Sequence, residues 1–220
     1  MGKSGVRLRV IGMDFRIFHI LMIIGSGFLL YSALGIDDDE RFVTGTMNMF
    51  FIHRYIGLIW GLLILAYAAY AMMKRHKTKI LEPLSRPLSE QFREGVSIIG
   101  RYFFNRKVSD NVKRKMGRHN VLASYAFVMM VFGFILLGIG GIGMIISPED
   151  SVPYEVLLGI HLIGVGFLSL FILAHFFAVI NKANRPLIPA VFFHGKVSKE
   201  WAEESMPHYV STEIYNGSRK

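Results

Sequence analysis

Two histidines, spaced fourteen residues apart in one long apolar segment, are the side chains best placed to do chemistry. They are His161 and His175, within residues 155–180. At about 100° and about 1.5 Å per residue, an α-helix turns the second side chain to within roughly 40° of the first, roughly 21 Å further along the axis. Ionisable side chains inside a membrane-spanning helix are costly and usually functional. One helix therefore carries an imidazole near each membrane face, and both point the same way.

The composition places these histidines in a membrane protein. Of the 220 residues 52% are hydrophobic, and the charged 19% lie outside the apolar segments, unlike in an ordinary soluble domain. The net charge of +9 fits basic loops beside anionic membrane lipid, and we expect no nucleic-acid partner. The chain has no cysteine, which excludes cysteine-ligated iron–sulfur clusters and c-type haem attachment. Any redox cofactor needs other ligands.

Four apolar segments are long enough to span a bilayer: about 15–34, 49–73, 121–146 and 156–180. We predict an all-α membrane protein whose four-helix transmembrane bundle occupies residues 1–180, followed by a polar tail over 181–220. The N-terminus, the loop 74–118 and the tail are basic, whereas the other two loops are acidic. The positive-inside rule then makes both termini and the loop 74–118 cytoplasmic, in a multi-pass protein of a bacterial or archaeal cytoplasmic membrane.

The basic loop contains one further pattern. Its apolar residues Phe92, Val96, Ile99 and Phe103 recur at helical spacing. This spacing indicates an amphipathic helix, on the membrane surface or against a neighbour. A solvated loop with a few buried anchors explains it equally well.

The topology gives every intramembrane histidine a partner at matching depth. His53 begins a helix that starts outside, so it pairs with His161; His19 begins a helix that starts inside, so it pairs with His175. Two neutral imidazoles facing each other are the axial ligands of a b-type haem, so we predict two haems b and no other metal site. A lone membrane histidine is more often a helix–helix hydrogen bond or proton relay, but four in two matched pairs favour haem.

Other residues near these pairs have less defined roles. Arg16 and Arg54 are candidates for haem propionates, with interfacial snorkelling as the alternative. His119, in a basic run before the third span, is placed at the interface and is a competitor for the inner haem. The remaining histidines, His76, His194 and His208, fall in polar segments and are expected to be solvated.

The chain resembles the cytochrome b (gamma) subunit of membrane-bound formate dehydrogenases along nearly its whole length. The likeness includes four helices, one ligand histidine in each of the first two, and two ligands fourteen apart in the fourth. The tail segment GKVSKEWA from Gly195 to Ala202, followed by Pro207, is similar to that subunit's GxVSxxWA…P segment. The b subunits of nickel–iron hydrogenases and of thiosulfate- or polysulfide-type reductases share the helical plan, and the tail favours formate dehydrogenase.

The resemblance implies a function. An iron–sulfur subunit, itself served by a molybdenum or tungsten catalytic subunit, passes electrons through the outer and inner haems to menaquinone or ubiquinone near the cytoplasm. The quinone pocket would use His175 and Asn120; Leu122 stands where that family often has glycine, which alters the pocket's shape. The chain itself would hold no substrate-converting catalytic residue, and its complex can assemble into a higher oligomer. A proton or metal transporter using the histidines is the alternative from another class.

Overall fold

The computed structural model describes residues 5–34, 49–73, 79–104 and 106–215, and these are mostly helical. The acidic residues 37–40 and His76 lie outside the described residues. The helices are α1 (Met13–Ala33), α2 (Met49–Met73), α3 (Leu88–Phe104), α4 (Asp110–Lys115), α5 (Val121–Ile146), α6 (Val152–Ile180), α7 (Leu187–Pro189), α8 (Lys199–Ser205) and α9 (Pro207–Tyr209). Two strands, β1 (Arg7–Arg9) and β2 (Lys196–Ser198), and short 3₁₀ or π turns over Lys79–Ser85, Ala190–His194 and Val210–Tyr215 complete the described chain.

Four of these helices, α1, α2, α5 and α6, are long and apolar enough to cross a membrane. Each is apolar around its whole circumference rather than along one stripe, as expected for a helix whose outer surface meets lipid. The predicted all-α architecture with four candidate spans is confirmed. The side of the membrane on which the termini lie stays a prediction.

The fourth span begins earlier than predicted. Its first helical residue is Val152 rather than a residue near 156, so the helix begins about one turn ahead of the apolar run. Pro153 lies in the first turn, where a helix needs no backbone N–H from it. The hydroxyl of Ser151 accepts a hydrogen bond from the backbone N–H of Tyr154 at 3.3 Å, which satisfies one of the open donors of that turn.

The basic loop is folded, and the alternative of a solvated loop is wrong. One face of α3, including Gln91, Glu94 and Ile98, is buried. Glu94 forms an ion pair with Arg86 at 2.7 Å and accepts the backbone N–H of Val121 at 2.9 Å. This carboxylate therefore satisfies a donor at the N-terminus of α5, where the helix dipole also favours negative charge.

The N-terminal strand and the tail form a small mixed unit that hydropathy does not predict. Strands β1 and β2 pair antiparallel, with Leu8 opposite Val197. Behind them lies a cluster of buried apolar side chains: Val10, Ile11, Ala190, Val197, Ala202, Met206 and Val210. The tail is thus a packed structure joined to the N-terminus, and not simply a polar extension.

The tail segment that carries the family resemblance has a local structural explanation at each of its distinctive residues. Gly195 has φ of 73°, a left-handed conformation that glycine adopts without strain. The Ser198 hydroxyl accepts the backbone N–H of Trp201 at 3.2 Å and so caps α8. The indole N–H of Trp201 donates to the carbonyl of Ala183 at 2.9 Å, and Ala202 is fully buried. The segment therefore specifies the fold of the tail.

The chain divides into two compact units. One comprises residues 14–77 and 133–166, and the other comprises residues 1–13, 78–132 and 167–220. The first contains His19, His53 and His161; the second contains His175.

Candidate haem sites

His53 of α2 and His161 of α6 face each other. Their ring centroids are 6.3 Å apart and their planes are inclined by 75°. An imidazole nitrogen lies about 2 Å from a metal that it ligates, and the ring centre about 1 Å behind it, so two axial imidazoles on one iron have centres roughly 6 Å apart. The predicted pair is therefore brought together at a separation that fits one haem iron.

The hydrogen bonds of both rings leave the same nitrogen available to a metal. Nδ1 of His53 lies 3.1 Å from the carbonyl oxygen of Leu29, and Nδ1 of His161 lies 3.2 Å from that of Leu137. A carbonyl only accepts hydrogen bonds, so each Nδ1 carries the proton and each Nε2 keeps its lone pair. Metal-ligating histidines commonly donate their second ring N–H to a backbone carbonyl in this way. The donor set fits bis-histidine haem ligation.

Ser32 is a partner of His53 that the sequence analysis missed. Its side chain is fully buried; its oxygen lies 2.9 Å from His53 Nδ1 and its hydroxyl donates to Leu29 at 3.0 Å. Ser32 falls within the predicted first span, and α1 continues through it to Ala33. One sequence feature points to this role: Ser32 is a small polar residue in the last turn of an apolar span, at the depth expected for His53.

Glycines bring α5 and α6 close enough for this geometry. A Cβ on Gly140 of α5 would lie 2.7 Å from the backbone of Leu157 and of His161, and one on Gly164 of α6 would lie 2.9 Å from the backbone of Leu137. Real Cβ atoms essentially never come within 3.0 Å of other atoms. The absent side chains therefore let His161 reach the carbonyl of Leu137.

His19 and His175 lie in different units, and their pairing stays a prediction. The ring of His19 is 5.8 Å from that of Phe15 on the same helix. One residue before His19, Phe18 stacks on Tyr67 with centroids 3.7 Å apart, which joins α1 to α2 at this level. His175 stacks on Phe171 of its own helix at 5.5 Å.

The two candidate propionate ligands differ in their surroundings. Arg54 donates from Nη2 to the carbonyl of Ile145 at 3.3 Å, near the C-terminal end of α5. The Nε of Arg16 is buried and has no hydrogen-bond partner among the described residues. A buried guanidinium N–H without a partner is unfavourable unless an acceptor arrives. An anionic group such as a propionate fits Arg16, whereas Arg54 already has one structural role.

His119, Asn120 and Leu122, at the start of α5, each have defined surroundings. The side-chain oxygen of Asn120 accepts the backbone N–H of Ala123 at 2.9 Å and caps α5. Leu122 points toward α3, where a Cβ on Gly95 would be 3.7 Å from it. His119 is largely buried, which together with the neighbouring Arg118 charge lowers its pKa to about 4. At neutral pH His119 is therefore an uncharged imidazole beside Asn120.

The chain belongs to the prokaryotic cytochrome b561 family, whose model matches residues 13–194. No curated protein matches the chain. The protein is thus a multi-pass bacterial membrane cytochrome b that holds haem b. It serves as an electron-transfer subunit of a redox complex. The prediction of a cytochrome b of the kind shared with hydrogenase b subunits is confirmed.

Proposed function

We propose that the chain is the di-haem b membrane subunit of a formate dehydrogenase complex. It carries electrons from an iron–sulfur subunit at the outer face to menaquinone or ubiquinone near the cytoplasmic face. The observation that supports this most is the facing pair His53 and His161, with Nε2 of each left available. The pairs His53 with His161 and His19 with His175 would each hold one haem b, which would supply a one-electron centre. Oxidation of formate belongs to a partner subunit that carries molybdenum or tungsten.

The second pair, His19 and His175, completes the path in this proposal. His161 and His175 are fourteen residues apart in the sequence of α6 (Val152–Ile180), a spacing that corresponds to about 21 Å in an ideal helix. The basic N-terminus, loop and tail place the His175 end in the cytoplasm by the positive-inside rule. Electrons arriving from outside and protons taken from inside would build membrane potential, about 2.3 kcal/mol per charge per 100 mV.

The spectral experiment separates the two sites. In haem-supplied protein, His161→Ala removes only the outer low-spin haem, which halves the haem content, and His175→Ala removes only the inner one. His208→Ala, in the tail, is the matched control and leaves both haems. If either ligand variant keeps two haems per chain, the ligand assignment is wrong; if the wild-type protein binds no haem, the whole proposal fails.

The quinone site is proposed at His175 and Asn120. The oxygen of Asn120 caps α5, so its NH₂ group is the part that would bind a quinone carbonyl. Serine caps a helix about as well as asparagine, but it lacks that NH₂ group. We therefore expect Asn120→Ser to raise the KM for quinone while stability and haem content stay unchanged.

Asn120→Ala serves as the comparison, because it loses the cap as well and costs about 1 kcal/mol of stability. If the serine variant has wild-type KM and only the alanine variant is impaired, Asn120 is a helix cap alone. Quinone reduction measured with stopped-flow haem reoxidation distinguishes these results.

Formate dehydrogenase is preferred as the complex because of the tail segment from Gly195 to Ala202. That segment lies beyond the family match, which ends at residue 194. Gly195, Ser198 and Trp201 of this segment each make a contact or backbone turn that stabilises the tail. The resemblance of this tail sequence supports the choice of formate dehydrogenase among complexes whose b subunits share the helical plan.

A nickel–iron hydrogenase, or a thiosulfate- or polysulfide-type reductase, is the second candidate, since the matched family is shared with hydrogenase b subunits. Co-purification of the intact complex from its native membrane decides between them. A molybdopterin or tungstopterin subunit, with haem reduction by formate, supports the first proposal. A nickel–iron subunit, with haem reduction by hydrogen, would support the hydrogenase candidate instead.

A further inference from the structure

Helix α3 is fixed at both ends to the membrane-boundary ends of two spans. Near its start, the hydroxyl of Tyr125 donates to the side-chain oxygen of Gln91 at 2.6 Å, and Glu94 accepts from the first residue of α5. Near its end, the carbonyl of Tyr102 accepts from Asn181, one residue past α6, at 3.0 Å. The start of α5 and the end of α6 meet the same membrane surface.

These anchors set the direction of the helix. Glu94 and Tyr102 are separated by eight residues, which is about 12 Å of helix. Two anchors at one membrane surface and about 12 Å apart along the axis make α3 run along that surface. The ring of Phe103 stacks on Phe177 of α6 with centroids 4.8 Å apart, so this side of α3 faces the apolar part of the span.

The side chains of α3 form three faces. At about 100° per residue, the buried residues that pack on the protein occupy one face, and five exposed apolar residues occupy a stripe about 80° wide beside it. This exposed stripe, called the apolar stripe below, consists of Leu88, Phe92, Val96, Ile99 and Phe103. The third face is more polar and includes Arg93 and Ser97. Leu88 and Phe92 are each about three-quarters exposed, at 76% and 75%.

The charge around the stripe is positive. Between residues 79 and 118 the sequence has ten Lys or Arg and four Asp or Glu. Two of those carboxylates are already paired, Glu94 with Arg86 and Glu90 with Lys115. Arg93, Arg106 and Lys107 are exposed. Cations beside an apolar stripe that runs along a membrane surface match the headgroup layer of anionic lipids.

We propose that α3 is an interfacial helix whose apolar stripe is inserted among the lipid acyl chains and whose flanking Arg93 and Lys107 bind anionic headgroups. The occupant of the stripe is the leaflet itself. Of the two positions that the sequence left open, the membrane surface is favoured over a neighbouring protein, because the anchors hold the stripe at the depth where spans end. The inference does not depend on which complex the chain serves.

The absence of cysteine from the chain permits a direct test with single spin labels. Phe92→Cys, Val96→Cys and Ile99→Cys place a nitroxide on the stripe, and Arg93→Cys and Ser97→Cys place one on the polar face of the same helix. The labelled, haem-loaded protein is reconstituted in vesicles of phosphatidylcholine and phosphatidylglycerol. Collision with oxygen, which concentrates in acyl chains, is compared with collision with a water-soluble nickel chelate.

We expect stripe labels to favour oxygen and polar-face labels to favour nickel, with a period of about 3.6 residues. Stripe labels that favour nickel would place the stripe in water and overturn the proposal. Stripe labels that reach neither reagent, with spin–spin broadening that disappears on dilution with unlabelled protein, would assign the stripe to a second copy of the chain and overturn it equally. Unchanged haem absorbance shows that each labelled variant is folded.

A second measurement tests the headgroup contact. A fluorophore at Phe92→Cys is quenched by brominated phosphatidylglycerol or brominated phosphatidylcholine, and the ratio reports lipid preference. Arg93→Gln with Lys107→Gln lowers the preference for the anionic lipid, by up to about fivefold for each charge removed. Arg7→Gln with Lys196→Gln removes the same charge from exposed positions of the strand pair and leaves the ratio unchanged. An equal loss of preference for the anionic lipid in the two double variants would overturn the proposed headgroup contact of Arg93 and Lys107.

Discussion

The substitution Gly140→Ala tests whether close packing of α5 and α6 holds the outer pair of histidines in place. The new Cβ would lie 2.7 Å from backbone atoms of α6, while ordinary contact begins at 3.4 Å. The obstructing atoms are backbone, so no side chain can rotate away. The helices must separate locally by about 0.7 Å. That displacement stretches the bond from His161 Nδ1 to Leu137 from 3.2 Å to about 3.9 Å, which is no longer a hydrogen bond.

The expected loss follows from these two terms. Overpacking costs about 1–3 kcal/mol, and the broken hydrogen bond costs about 1 kcal/mol. A destabilisation of about 2–4 kcal/mol lowers Tm by roughly 5–15 °C in a chain of this size. Loss of an orienting partner of a metal ligand lowers metal affinity about 10- to 100-fold. We therefore expect the outer haem to dissociate faster in Gly140→Ala while the inner haem stays.

Gly138→Ala is the matched control. Gly138 lies on the same helix, and a Cβ there would meet nothing within 4 Å. Both variants share the change from glycine to alanine in a helix, so the difference in intrinsic helix propensity, about 1 kcal/mol in water, cancels between them. Haem transfer to an apoprotein acceptor measures dissociation, and thermal unfolding gives a readout independent of haem. Equal Tm and equal haem retention in the two variants would refute the role assigned to Gly140.

Three further substitutions test other contacts. Glu94→Ala removes the acceptor of the first N–H of α5 and the ion-pair partner of Arg86, which keeps its hydrogen bond to the carbonyl of Lys115; we expect a loss of about 1–3 kcal/mol in unfolding free energy, whereas Glu94→Gln loses less. The pKa of His119 is lowered to about 4 in the folded chain. As pH falls from about 6.5 to about 4, the proton therefore binds only to the unfolded state. The unfolding free energy falls in that window, by on the order of 3 kcal/mol. His119→Gln flattens this dependence in Tm measured against pH, and an unchanged dependence would contradict the role of His119. Trp201→Phe removes one hydrogen bond and costs about 1 kcal/mol of unfolding free energy. The indole N–H of Trp60 has no hydrogen-bond partner among the described residues, so Trp60→Phe costs no hydrogen bond. Equal losses of unfolding free energy in the two variants, measured by chemical unfolding, would contradict the role of the Trp201 hydrogen bond.

The spans and the facing of His53 and His161 could be predicted because their signals are local. A helix that crosses lipid must be apolar for about 20 residues, and that length is visible in the sequence. The distribution of basic residues then fixes the depth of His53 and His161 without any knowledge of packing. Their facing geometry, with centroids 6.3 Å apart, agrees with that prediction.

The missed features depend on contacts between residues far apart in sequence. Strands β1 and β2 have three residues each, and they pair Leu8 with Val197, so neither strand is long enough to show an alternating pattern. Ser32 falls within the predicted first span, 15–34, but the local sequence does not by itself identify it as a partner of His53. Its role depends on α2 packing beside it, which no local pattern reports. The predicted start of α6 is late because it follows the apolar run, whereas the helix begins at Val152 with Pro153 in a first turn that accepts proline.

The helix pairs α1–α2 and α5–α6, called hairpins below, orient their histidines in the same way. The sequence does not show this similarity as a repeat. His53 donates to the carbonyl of Leu29, and His161 donates to that of Leu137, with a separation of 24 residues in both cases. In each hairpin, a carbonyl of the first helix therefore orients the imidazole of the second and leaves its Nε2 available to a metal. Backbone carbonyls are available on any helix, so this orientation requires no particular residue at either acceptor position. It requires only that the two helices approach closely, which is why glycine packing, more than any polar motif, governs the outer site. The hairpins differ in Ser32, whose oxygen gives His53 a second hydrogen-bond acceptor, and removal of that hydroxyl would leave both imidazoles held by one carbonyl each.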